Sequence, residues 1–276
     1  MRTITVITKD ADGIFQSVVI DGLQSIATQQ DFQIRVITTG GVNTASDQIN
    51  IACEQTAGIV VIANAVSDDF LQQMVQKAMP ITLVSHRHPE LPIPAVMSDD
   101  AQGIKAVMRH LVIRCERRSP VFIRGIPEQL DSMRREKAFR RELLRHNIPV
   151  ENSAIISGEF SAEIAATAIQ QLLGNGFVFD CLIAADYVMG IAAIKTLHRA
   201  GIRVPADVSV VGYGDDHQAE SAGLTTVSAN IRELGQRAAR QIISQINGLQ
   251  ISGTTTISVE LIIRDSCGCF SDGIKS

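Results

Sequence analysis

The stretch CLIAADYVMGIAAIKTLHRAGIRVPADVSVVGY, residues 181–213, decides the fold. It opens on CLIAA (181–185), an apolar run of strand length, and closes on VSVVGY (208–213), a second one. Between them, residues 188–200 set apolar side chains at helical spacing. A strand, a helix and a strand in so short a span form a βαβ unit, whose strands run parallel.

The alternation extends in both directions. Upstream, TITVI (3–7), QIRVI (33–37), GIVVIA (58–63), PITLVS (80–85) and PAVMS (94–98) read as strands. Helical patterns lie between them. Phe15, Val18, Val19, Gly22, Leu23 and Ile26 mark the first, residues 44–56 the second, and 68–78 the third. The fourth, over 101–113, has Ile104, Val107, Met108, Leu111 and Val112 on one face. The pattern then restarts with strands PVFIRG (120–125) and AIIS (154–157) and helices over 132–146 and 161–173. A helix over 231–247 and a strand over 256–263 close the chain. Strands alternating with helices predict an α/β fold of two doubly wound parallel-sheet lobes, with helices on both faces. In such sheets ligands bind beyond the carboxyl ends of the strands. The loops to inspect are therefore 8–15, 64–68, 85–89, 125–135, 185–187 and 213–217.

Composition removes several function classes. The chain has 276 residues, 45% of them hydrophobic, which is too apolar for a disordered chain. Its formal net charge of −4 does not suit a free-standing nucleic-acid binder. Ten of the 25 Lys and Arg fall between Arg114 and Arg145, but Glu128, Asp131, Glu136 and Glu142 are interspersed, as on a solvated helix face. The longest apolar runs, such as GIVVIANAV (58–66), are far shorter than a bilayer span, so no membrane contact is expected. The N-terminal MRTITVITKD lacks the apolar core and cleavage site of a signal peptide. Five cysteines, Cys53, Cys115, Cys181, Cys267 and Cys269, are odd in number and scattered, unlike a disulfide framework. A reducing, cytoplasmic compartment is the simpler expectation.

Enzyme signatures are missing: there is no G-x-G-x-x-G after a strand, no P-loop, no G-x-S-x-G and no H-E-x-x-H. His86-Arg87-His88 reads either as half a metal site or, with no third ligand identifiable, as two polar loop histidines. The C-x-C at Cys267 and Cys269 reads either as a metal or redox pair or as two ordinary tail cysteines; zinc sites normally show two such pairs or a His pair nearby. Asp99-Asp100 and Asp215-Asp216 are paired carboxylates, the first placed as a helix cap. No catalytic residue, metal site or cofactor is expected, and the chain reads as a non-enzyme.

Six segments in order resemble the lactose-repressor-like (LacI/GalR) transcription regulators: VMSDDAQGIKAVMRHL (96–111), DSMRREKAF (131–139), FDCLIAADYVMGIAAIKTLHRAGIRVPADVSVVGYGDD (179–216), LTTV (224–227), ELGQRAARQI (233–242) and LIIRDSC (261–267). The resemblance implies the effector-sensing part of such a regulator, with the fold of periplasmic sugar-binding proteins. Its lobes would comprise 1–117 plus 224–249 and 118–223 plus 250–276. A sugar, sugar phosphate or purine-like effector would bind between them and shift an open–closed equilibrium. The family's ligand positions fall on Phe15, Ser85, His86, Arg135, Asp186 and Asp215. Arg135 matches the effector-gripping arginine, whose guanidinium fork suits vicinal hydroxyls, carboxylates or phosphates. Phe15 matches an aromatic that packs on ligand, and Asp186 the acid of the family's Asn-Asp pair. Two positions depart: Ala185 stands for that Asn, and Gly214 for an acid that often grips ligand. Homodimerisation through the 101–113 helix is implied. DNA would be contacted only through a headpiece that these residues do not include. The same fold leaves open a binding protein of an ABC importer, or a sensor fused to a signalling output.

Overall fold

The computed structural model describes residues 2–11, 13–40, 55–149 and 154–269. The predicted helix over 44–56 falls almost wholly on residues 41–54, outside the described ones, as does Cys53. The chain divides into two units and passes between them three times. Unit 1 comprises Met1–Ser98 and Asn230–Ser258, and unit 2 comprises Asp99–Ala229 and Val259–Ser276.

Unit 1 holds a six-stranded sheet. Its strands are β1 (Arg2–Thr8), β2 (Phe32–Thr38), β3 (Gly58–Ile62), β4 (Ile81–Val84), β5 (Ala95–Ser98) and β11 (Thr254–Ile257), in the order β11-β5-β4-β3-β1-β2. Every pairing is parallel. β3 and β4 are buried along their whole length, as expected of strands covered on both faces. On one face, α1 (Ile14–Gln29) lies against α8 (Ile231–Ile246), with Val19, Leu23 and Ala27 of α1 and Leu234, Ala238, Ala239 and Ile242 of α8 in one core. Each Leu or Ile so buried contributes about 1.5–3 kcal/mol. The two helices meet backbone to backbone. A Cβ on Gly22 would strike the Arg232 carbonyl, and one on Gly235 would strike that of Val19. The third helix, α2 (Asp68–Gln76), starts where Ser67 Oγ accepts the Phe70 N–H, and it buries Leu71 and Met74.

Unit 2 repeats the strand order. Its strands are β6 (Pro120–Arg124), β7 (Ile155–Ser157), β8 (Cys181–Ala184), β9 (Ser209–Tyr213), β10 (Thr225–Ser228) and β12 (Glu260–Ile262), in the order β12-β10-β9-β8-β6-β7. They are parallel except that β12 runs antiparallel to β10. Its helices are α3 (Asp100–Arg109), which runs on into a π turn (His110–Arg114), α4 (Leu130–Arg145), α5 (Ala162–Gly174), α6 (Tyr187–Arg199) and the short α7 (His217–Ser221). Phe122 of β6 stacks on Phe139 of α4 with ring centroids 5.0 Å apart.

The structure corrects the sequence reading at several points. The single strand expected over 256–263 is two, because the chain leaves the sheet of unit 1 after β11 and joins that of unit 2 with β12. The segment 225–228 forms β10, whose ladders to β9 and β12 keep it in unit 2. Residues 99–117 also belong to unit 2, and 250–258 to unit 1, where Thr254–Ile257 pairs with β5. The unit boundaries therefore differ from 1–117 plus 224–249. Cys115 and Cys269 are joined in a disulfide at a sequence separation of 154, which spacing does not disclose. The apolar face expected to pair with a second copy is turned inward: Ile104, Val107, Met108 and Leu111 are wholly inaccessible and Val112 nearly so. Finally, the basic cluster is largely paired, with Arg134 and Arg135 on Asp100, Arg124 and Arg140 on Glu136, and Arg141 and Arg145 on buried Glu142.

Candidate functional site

In a sheet of this order, the connections leave β1 and β3 of unit 1, and β6 and β8 of unit 2, toward opposite faces. The gap opened there is where doubly wound sheets hold ligands. In unit 2 the β6 connection leads into α4, which carries Arg135, and the β8 connection is Ala185-Asp186, which starts α6. The residues predicted as Arg135 and Asp186 thus flank the switch point.

Arg135 is almost fully enclosed. Its Nε donates to Asp100 Oδ1 at 2.9 Å, and its Nη1 donates to the Ala185 carbonyl at 2.8 Å and lies 3.6 Å from Asp131 Oδ2. The guanidinium carbon sits 3.8 Å from the centroid of the Tyr213 ring, a stacked cation–π contact. Burial alone would lower its pKa, but Asp100 and Asp131 override that and hold it charged. These contacts use Nε and Nη1. A guanidinium fixed on three sides keeps its planar fork in a single orientation.

Asp186 caps α6, its Oδ1 accepting the Met189 N–H at 2.8 Å. Burial pushes its pKa up to about 6, against the opposing pull of that N–H and of Arg135. The residue is therefore both a cap and a carboxylate close to its titration point near neutrality. Tyr213, at the end of β9, is buried, with its hydroxyl close to Asp100 and Arg135. Burial and the charge of Asp100 raise its pKa, so it stays a neutral phenol.

Asp215 is taken up elsewhere. Arg264 grips it with two bonds, Nη1 to Oδ1 at 2.7 Å and Nη2 to Oδ2 at 3.1 Å, while Nη1 also donates to the Leu224 carbonyl. Its neighbour Asp216 caps α7 by accepting from Gln218 and Ala219. The departure at Gly214 has a backbone reason. Its φ of +86° is a left-handed conformation that favours glycine, and a Cβ there would stand 3.2 Å from the Tyr187 ring.

In unit 1, the three remaining predicted residues follow strand ends. Phe15, the second residue of α1, follows the loop after β1 and packs against the unit 1 core while remaining partly exposed. Ser85 follows β4 with a φ of +56°, its N–H bonded to the Val96 carbonyl at 2.9 Å. A left-handed serine at a strand end is the kind of strain that collects at ligand sites. His86 is half-buried, and burial lowers its pKa, with Asp68 opposing and His88 adding to the fall. His88 is held by the Glu90 and Leu91 N–H groups on Nδ1, with Nε2 3.7 Å from Asp68.

Asp100, Asp131 and Tyr213 belong to the unit 2 site and were not singled out as ligand positions. Asp99 is the cap of α3, as the pattern suggested, accepting the Gln102 N–H. Asp100 instead turns inward to the two arginines, a role that the presence of Arg134 and Arg135 in one helix could have signalled.

Comparison with known proteins agrees with this architecture. The model of the periplasmic binding protein-like domain matches residues 109–267. The chain is 27% identical over 257 residues to the HTH-type transcriptional regulator CelR of Thermobifida fusca, covering 91% of this chain and 73% of that protein. It is 25% identical over 271 residues to the HTH-type transcriptional repressor PurR of Photobacterium profundum, covering 96% and 81%. Among solved structures, a complex of the transcriptional regulator CelR with cellobiose superposes with a TM-score of 0.86 at 22% identity, covering 96% of this chain and 84% of that one.

Proposed function

The chain belongs to the periplasmic binding protein-like domain family, and from that premise we propose that it is the effector-sensing part of a LacI-type transcriptional regulator. The effector is a small carbohydrate-like molecule: a sugar, a sugar phosphate or a purine-like compound. The observation that carries this reading is Arg135, a charged fork immobilised by Asp100, the Ala185 carbonyl and the Tyr213 ring beside the switch point of the unit 2 sheet. Asp186 beside it is the acceptor for a ligand hydroxyl. Phe15, Ser85 and His86 are the contacts that unit 1 offers at the carboxyl edge of its own sheet. Asp215 supports the site through Arg264 and does not grip ligand itself. The cellobiose complex of the similarly folded regulator CelR supports a sugar-class effector.

In this reading the chain performs no reaction. It works in the cytoplasm as a homodimer whose contact uses a surface other than the buried face of α3, and it acts on DNA through a separate headpiece. Effector shifts output only by its differential affinity for two conformations. A swing from 1:99 to 99:1 requires about 5.5 kcal/mol of such difference.

Titration calorimetry against sugars, sugar phosphates and purines tests the proposal. At least one compound is expected to bind, and Arg135→Lys, which keeps the charge opposite Asp100 but lacks the fork, weakens it at least tenfold. Binding undiminished in a folded Arg135→Ala protein would remove Arg135 from the site.

A further inference from the structure

Four side chains of unit 2 that the effector site does not use converge at one point. They are His110, Cys115, Cys267 and Cys269, and one ligand atom from each lies within 4.8 Å of all the others. His110 and Cys267 are buried. His110 Nε2 stands 3.3 Å from Cys267 Sγ and 3.5 Å from Cys115 Sγ. For Zn–N bonds of about 2.0–2.1 Å and Zn–S bonds of about 2.3 Å, a tetrahedral angle sets nitrogen and sulfur about 3.5 Å apart. A disulfide needs two sulfurs only. It gives no reason for a third sulfur and an imidazole nitrogen to meet at the same pair.

The backbone builds this convergence from both sides. In a regular α-helix, five residues turn the chain about 140° past a full revolution, so positions 110 and 115 would diverge. Here α3 runs into a π turn, and the Cys115 N–H bonds the His110 carbonyl at 3.1 Å, which brings both side chains to one face. On the other side, Gly268 takes a φ of +77°, a left-handed turn that folds Cys269 back beside Cys267. The Cys267 carbonyl is fixed by Ser209 Oγ at 2.7 Å, which in turn accepts from Arg117 Nε. Ser266 Oγ donates to the Val210 carbonyl and accepts the Thr225 N–H. Bonds outside the cluster thus hold both segments in place.

We propose that His110, Cys115, Cys267 and Cys269 hold one zinc ion in a tetrahedral three-cysteine, one-histidine site, and that the Cys115–Cys269 disulfide is the ion-free, oxidised state of the same four residues. Four protein ligands leave no open position, so the ion is a structural staple between the end of α3 and the last described residues of the chain. The two states interconvert by balanced chemistry. A dithiol reductant breaks the Cys115–Cys269 bond, forms its own S–S bond and gives its two protons and two electrons to the cysteines. The three thiols lose their protons on binding the ion. Three thiolates and Zn²⁺ leave one negative charge on the site. Hydrogen peroxide reverses the change. It takes two electrons from the Cys115 and Cys269 thiolates and, with two protons, becomes two waters as the S–S bond forms and the ion departs.

The test is cobalt titration of the full chain, reduced with a phosphine so that no dithiol competes for the metal. Reduced protein is expected to develop the intense visible bands of tetrahedral thiolate-bound Co²⁺, to saturate at one ion per chain, and to lose them on addition of one equivalent of Zn²⁺. The oxidised chain shows none, and peroxide releases the bound zinc to a chromophoric chelator. Cys269→Ser, at a partly exposed position near the chain end, and Cys267→Ser both lose the bands, whereas Cys181→Ser, at a buried cysteine outside the cluster, keeps them. Absence of the bands in reduced, folded protein overturns the proposal. So does their persistence at full strength in folded Cys269→Ser.

Discussion

Asp186→Asn separates the charge of the carboxylate from its work as a cap. Asparagine caps a helix as well as aspartate, so the bond from the Met189 N–H is kept. What is removed is a buried negative charge whose pKa is pushed up to about 6 from its ordinary 3.8. At 1.36 kcal/mol per pH unit, that difference is worth about 3 kcal/mol when the group is fully ionised, or about 2 kcal/mol after discounting for its partial exposure. The sign follows from which state holds the proton. Between about pH 4 and 6 the unfolded chain has released it and the folded chain has not. Wild-type stability therefore falls, relative to the variant, as pH rises through that window, and the gap is constant above it. Urea unfolding at a series of pH values measures this. The variant is expected to match wild type near pH 4 and to be about 2 kcal/mol more stable at pH 7.5. A gap of equal size at every pH, or a less stable variant at pH 7.5, would refute burial of the charge as the cause.

Three other outcomes follow from the packing. Gly235→Ala drives a methyl into the Val19 carbonyl where α1 and α8 touch, and thermal unfolding should show a loss of about 2–4 kcal/mol with the helices forced apart. Arg264→Ala strips Asp215 of both its charge-assisted bonds, costing about 1.5–3 kcal/mol; faster amide exchange in 223–228 and 260–267 would locate the loss. Asp216→Ala removes the cap of α7, and with it about 1 kcal/mol, while Asp216→Asn should restore most of that in the same unfolding assay.

Strand and helix periods were readable because they are local: two residues or three to four decide which face is buried. They place β1, β3, β6, β8 and β9 and their helices, and so the switch points beside which Phe15, Arg135 and Asp186 sit. Partnerships across the chain were not readable in that way. Asp215 looks available until Arg264 returns to it 49 positions later. The stripe on 101–113 looks ready for a second copy because an apolar face carries no record of what covers it. In the structure the apolar face of α3 is buried within unit 2 and its first acid is drawn to Arg135. Cys115 and Cys269 meet for the same reason that β12 meets β10: the closing segment crosses back into a unit built mostly from the middle of the chain.

That third crossing sets the order in which the protein can be completed during synthesis. The ribosome delivers β1 to β5 first, yet β5 waits for Thr254–Ile257 to cover its open edge, and the Gly22 side of α1 waits for α8. Unit 2 is made in that interval, and its own edge at β10 stays open until Glu260–Ile262 arrives. The unit begun first is thus finished only when the second is nearly whole. A nascent chain halted short of Thr254 carries two unpaired sheet edges at once, the features most prone to pairing with a neighbouring chain. Arrival of Thr254–Ile257 and Glu260–Ile262, rather than emergence of either unit's first strands, is the moment at which both edges close.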